Sequence, residues 1–155
     1  MNTLWRELSP EAAGANLRKA THFLRRALGT PEPVIIRGGV VALCPDWPVT
    51  TDVEEFQAAA REAIGSGAHA CEAVAALYRG ELLPDDRYAS WTIESRERLR
   101  LRHIELLKLG ERWQRVLEVD PTDEGAHRAL MQAHVDAGNC AAALRQFERL
   151  QFLPE

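Results

Sequence analysis

The sequence predicts a mainly α-helical protein interrupted once by a β-hairpin. Apolar residues recur at helical spacing through most of the 155 residues. Glycine, proline and Asp/Asn clusters punctuate those stretches at intervals suited to helices of ordinary length. A single segment, Val34 to Leu43, instead places two β-branched runs around a glycine pair.

Ser9-Pro10-Glu11 opens the first helix. Ser9 suits the N-cap, Pro10 the first helical position, and Glu11 the positive end of the helix dipole. The helix is expected to reach Leu28 and stop at Gly29, with Pro31 and Pro33 beyond. Ala13, Leu17, Ala20, Leu24 and Leu28 form its expected inward stripe. Asn16, Lys19, His22 and Arg26 fall on another side, flanked by Arg18 and Arg25. Val34-Ile35-Ile36-Arg37, Gly38-Gly39 and Val40-Val41-Ala42-Leu43 read as a tight hairpin, ended by Pro45 and Pro48. Helices are then expected from Thr51 or Asp52 to about Ile64, Ala68 to Tyr78, Trp91 to Leu109, Trp113 to Val119, 123–137 and 140–151. Gly65-Ser66-Gly67, Leu83-Pro84-Asp85-Asp86, Asp120-Pro121-Thr122-Asp123 and Gly138-Asn139 separate them.

No apolar run approaches a membrane span, and the N-terminus lacks a basic patch followed by an apolar stretch. The expected compartment is the cytoplasm, with no membrane partner. Cys44, Cys71 and Cys140 are odd in number and widely spaced, which fits neither a disulfide framework nor a zinc site. They read as reduced, buried small hydrophobes. The net charge of −4 argues against nucleic acid, but its distribution does not. Ala12 to Cys44 carries +4, through Arg18, Lys19, Arg25, Arg26 and Arg37 against Glu32, while Pro45 to Glu155 carries −7. Such asymmetry is expected where one end of a chain meets phosphate.

A helix bearing basic and amide side chains, followed at once by a glycine-tipped hairpin, matches the back half of a winged helix-turn-helix. Such a helix presents its side chains to base edges in the major groove, and a cation on the hairpin meets phosphate. The candidate DNA-binding residues are therefore Asn16, Arg18, Lys19, His22, Arg25, Arg26 and Arg37. Arg18 and Arg25 are expected on phosphates, and Arg37 as the cation of the wing. The bland alternative is an amphipathic helix with a solvated basic face beside an unrelated hairpin.

The last two helices resemble one tetratricopeptide repeat. Ala143 and Phe147 match the small and aromatic positions of its second helix, Leu130 a packing position of the first, and Gly138-Asn139 the turn between them. Leu117 to Pro121 looks like the end of a preceding repeat. More broadly, Leu4 to Ala13, Asn16 to Ala20 and Leu24 to Gly29 resemble the SARP-type bacterial regulators. So do Thr51 to Phe56, Leu77 to Pro84, Trp91 with Glu94 to Leu99, Asp120 to Glu124 and Gly138 to Phe147. This resemblance implies a partial, truncated OmpR-like winged helix (helix plus β-hairpin wing) over residues 1–46. A TPR-like α-helical bacterial transcriptional activator domain would follow over residues 47–155.

Phe56, Tyr78, Trp91, Trp113 and Phe147 lie at helical packing positions and are expected in the core. His127 and His134, seven apart with no third ligand, read as helix–helix contacts rather than a metal site. Glu94 to Arg102 alternates in sign, as a solvated helix face does, or as a partner-facing one. No phosphate loop, GxGxxG, HExxH or GxSxG motif is present. The expectation is a regulator rather than an enzyme, without cofactor or metal. Promoter DNA is its expected partner at the N-terminal helix and wing, with a homodimer or another protein at the helical repeats. The alternative is a protein-interaction scaffold that has lost DNA binding.

Overall fold

The computed structural model describes residue 5 and residues 7–29, 34–37, 40–86 and 88–152, with the side chain of Arg37 outside that set. Two units divide the chain, residues 1–51 and 52–155. The first holds α1 (Pro10–Leu28), β1 (Val34–Arg37) and β2 (Val40–Leu43). The second holds α2 (Asp52–Ala63), α3 (Ala68–Ala75), a 3-10 turn (Pro84–Asp86), α4 (Ser90–Leu109), α5 (Trp113–Val119), α6 (Glu124–Asp136) and α7 (Cys140–Gln151). The protein is thus mainly α, with one antiparallel hairpin among the described residues, and its second unit is compatible with a TPR-like repeat. Among the described residues, no helix is long and apolar enough to cross a membrane.

In the second unit each helix packs on the next in sequence: α2 on α3, α3 on α4, α4 on α5, α5 on α6 and α6 on α7. This neighbour-to-neighbour stacking is how helical repeats build one continuous core. Phe56 and Ala60 of α2, Cys71 and Ala75 of α3, Leu99, Ile104, Leu106 and Leu107 of α4, Val116 of α5 and Ala126 of α6 supply it. Two later helices start on side-chain caps, Ala126 N–H donating to Asp123 Oδ1 at 2.9 Å and Ala142 N–H to Asn139 Oδ1 at 3.1 Å. Gly110 is needed for room, not for conformation. A Cβ there would stand 3.2 Å from the Leu106 carbonyl and 3.3 Å from the Glu72 nitrogen, where α3 crosses the end of α4.

The structure departs from the expected elements at α3, which ends at Ala75 instead of Tyr78. Leu77 N–H bonds Val74 O at 3.0 Å and Tyr78 N–H bonds Ala75 O at 3.2 Å, so the last turn tightens to three-residue spacing. That turn places the Tyr78 ring on His103, with ring centroids 4.4 Å apart.

Trp91 and Phe147 are not core residues: they are 40% and 43% exposed. The buried position in each case belongs to the preceding or following residue, Thr92 at 0% and Gln146 at 6%. Both substitutes are polar and find partners. Thr92 Oγ1 donates to Ala89 O at 2.7 Å. The Gln146 amide donates to His127 Nδ1 at 2.8 Å, and His127 Nε2–H donates to Pro121 O at 3.0 Å. His127 is thereby a buried contact between α6 and α7, in the neutral tautomer those partners require. Of the cysteines, Cys71 is buried and donates to Ala63 O at 3.4 Å, Cys44 is half-buried and Cys140 exposed.

Charged pairs brace the turns. Lys108 bonds Asp123, Arg112 bonds Glu72, and Arg100 reaches Asp120 at 3.8 Å. Burial pushes the Asp123 carboxyl up, but the Lys108 ammonium and the Ala126 N–H outweigh it and hold the group below its ordinary value.

Two measurements probe this core. Leu106 is 0% exposed, so Leu106→Ala is expected to cost about 2–5 kcal/mol in urea unfolding. His103 is 4% exposed and its Nδ1 has no partner among the described residues. Burial first, and the Arg115 charge second, lower its pKa below 6.5. The unfolded chain therefore binds the proton more readily, and the associated stability is complete above that value and lost as pH falls below it. The thermal midpoint is expected to drop on acidification through this range, and His103→Phe to flatten the dependence.

Candidate nucleic-acid interface

The first unit is built on α1. Ser9 caps it, accepting from Ala12 N–H at 3.3 Å. The Glu11 backbone N–H, followed by the Ser9 hydroxyl, holds the Glu11 carboxyl below its ordinary value. Gly29 ends the helix at φ 72, a left-handed conformation that costs glycine little.

The inward side of α1 runs Ala13, Leu17, Thr21 and Arg25, not through Ala20, Leu24 and Leu28 as the apolar pattern suggests. Leu24 and Leu28 are 40% and 47% exposed. Two polar interactions account for the rotation. Thr21 is buried because its hydroxyl donates to Leu17 O at 2.8 Å, which satisfies it within the helix. Arg25 turns inward because Nε donates to Val34 O at 3.0 Å and Nη2 donates to the same oxygen. Val34 itself is 1% exposed, so this guanidinium fastens the start of β1 to the last turns of the helix.

The hairpin pairs Val34 with Leu43, Ile35 with Ala42, Ile36 with Val41 and Arg37 with Val40. Gly38 and Gly39 lie outside the described residues, as does the side chain of Arg37.

The remaining sequence-derived candidates share the outer surface. Asn16, Arg18, Lys19, His22 and Arg26 are all exposed. Lys19, His22 and Arg26 follow one row at helical spacing. Arg18 lies back along the helix, its Nη1 3.5 Å from where a Cβ of Gly14 would stand. The His22 ring meets Phe23 edge-on at 5.8 Å. The structure therefore gathers five of the seven candidates on exposed α1, while Arg25 is engaged with β1. Its tie to Val34 left no mark in the sequence, because it joins a helix side chain to a main-chain carbonyl across a turn.

The second unit offers a different kind of surface. The segment from Leu77 to Pro84 walls a groove of about 640 Å³, with Val53, Phe56 and Leu99 on its other sides. Arg96 shapes this wall from α4, its Nε donating to Leu82 O at 2.6 Å and its Nη2 to Leu83 O at 2.5 Å. Leu83 sits at φ 50 there, an uncommon conformation for a leucine that these bonds help to hold. Asp52, Glu55, Arg79 and Glu81 reach the groove as charged groups around an apolar floor. Among the described residues, no cluster of three or more His, Cys, Asp or Glu is placed to hold a metal ion.

No curated protein and no solved structure matches the chain. A family model, the bacterial transcriptional activator domain, matches residues 51–153, which spans the whole helical unit from the start of α2 past the end of α7. The chain belongs to the bacterial transcriptional activator domain family, and its role lies in transcription regulation.

Proposed function

We propose that this chain is a SARP-like regulator module that binds promoter DNA through α1 and the hairpin and dimerises or contacts protein through its helical domain. Residues 1–46 act as the recognition helix and wing of an OmpR-like winged helix, and residues 47–155 as the activator domain. The observation that carries this reading is the exposed basic surface of α1, beside a hairpin fastened to the same helix. Lys19, His22 and Arg26, with Asn16 beside them, face the major groove, Arg18 reaches phosphate, and Arg37 is the cation of the wing. Arg25 acts mainly by positioning, since it sets the start of the wing against the helix.

A second reading, a protein-interaction scaffold without DNA contact, draws on the apolar groove beside Leu77 to Pro84. Fluorescence anisotropy with a mixed-sequence duplex at two salt concentrations separates the two. The regulator reading expects affinity that falls steeply with salt. Lys19→Ala and Arg26→Ala each weaken binding, and a residue that meets phosphate lowers the salt slope by about 1. Arg25→Met, which keeps the aliphatic stem but removes the donors, weakens binding with a smaller change of slope. Absence of binding at low salt, or binding indifferent to Lys19→Glu/Arg26→Glu, favours the scaffold.

A further inference from the structure

We propose that α4 carries a self-complementary surface on which two copies of this chain pair antiparallel. The proposal rests on the dimer reading above and names the surface that performs it.

The side of α4 that faces away from the core is unusual for a solvated helix face. Ile93 and Leu101 are 59% and 53% exposed. They lie along a shallow groove of about 600 Å³ that also takes in Glu94, Glu97, Arg98 and Arg102. Eight residues of helix separate the two apolar side chains by about 12 Å. The charges around them are unequally satisfied. Glu97 is bonded by Arg100 at 3.0 Å and Arg102 bonds Glu105 at 2.7 Å. Among the described residues, Glu94 and Arg98 form no ion pair, Arg98 making only a 3.4 Å bond to Ser95 Oγ. One helical turn apart and of opposite sign, they do not close on each other.

This arrangement is complementary to itself when reversed. A two-fold axis beside Glu97 sets Ile93 of one copy against Leu101 of the other, and Leu101 against Ile93, with the two Glu97 carboxylates near the axis each neutralised by its own Arg100. Antiparallel pairing also brings the same flank of each helix together, so Glu94 meets Arg98 of the second copy twice over. A closed dimer needs such an isologous patch, in which each residue contacts the counterpart of its own partner. The opposed charges fix direction and register, and the two apolar contacts supply the area removed from water.

The test is sedimentation velocity on the full chain, with far-UV circular dichroism to confirm the fold. All four residues are exposed or lie on the helix surface, so substitution leaves the core untouched. Leu101→Glu places a charge against Ile93 of the second copy and is expected to raise the dimer dissociation constant about 100-fold. Glu94→Arg and Arg98→Glu each create two like-charge contacts and raise it roughly 10-fold. Mixing those two variants in equal amounts makes both contacts opposite in sign again, and the dimer returns as a heterodimer. If the parent dimerises but none of these variants alters it, the α4 surface is overturned while dimerisation itself stands. A parent that stays monomeric at the highest concentration reached overturns both.

Discussion

Burial of α4 on more than one flank is the constraint on which the helical unit depends. A helix in the middle of a stack built on sequence neighbours must serve two of them. α4 does so by burying Leu99 and His103 along one line and Leu106 and Leu107 at successive positions further on. Successive residues point about a quarter-turn apart on a helix, so two of them at 0% exposure require a wide buried arc. The apolar positions of α4 consequently spread around its circumference and do not form a single stripe. Gly110 belongs to the same constraint, because it lets α3 cross close to the end of the helix that both neighbours share.

The first unit is held differently. Its buried set is small, with Ala13, Thr21 and Val34 as the residues below 5% exposure among those described. The orientation of β1 relative to α1 is therefore determined less by packed area than by the fork of Arg25 on the Val34 carbonyl. A polar tether of this kind fixes direction well, because it has geometric requirements that apolar contact lacks. The exposed Phe23, Leu24 and Leu28 show how much of the apolar surface of α1 the hairpin leaves uncovered.

Much of this architecture was legible in the sequence, and the misreadings have physical causes. Helix ends were readable because Ser9, Gly29, Asp123 and Asn139 act locally, through caps and a left-handed terminus. The hairpin was readable because β-branched runs around Gly38-Gly39 have few other uses. Tyr78 hid the end of α3, since its stacking on His103 joins residues far apart in the chain. Trp91 and Phe147 misled because size suggests burial, whereas Thr92 and Gln146 show that a satisfied polar group of the right shape can take the inner place. At the candidate interface, the exposed row Lys19, His22 and Arg26 follows from helical spacing alone. The inward turn of Arg25 does not, because no pattern of side chains advertises an accepting main-chain oxygen.

The bonds through His127 have a direction as well as a count. The Gln146 amide gives a hydrogen to the imidazole, and the imidazole gives one to the Pro121 carbonyl, so both bonds point the same way, from α7 through α6 into the turn after α5. Bonds aligned in this sense polarise one another, the imidazole becoming a better donor at Nε2 because it accepts at Nδ1. The last helix is thereby coupled electronically to a turn two elements earlier, and loss of either end weakens the bond at the other.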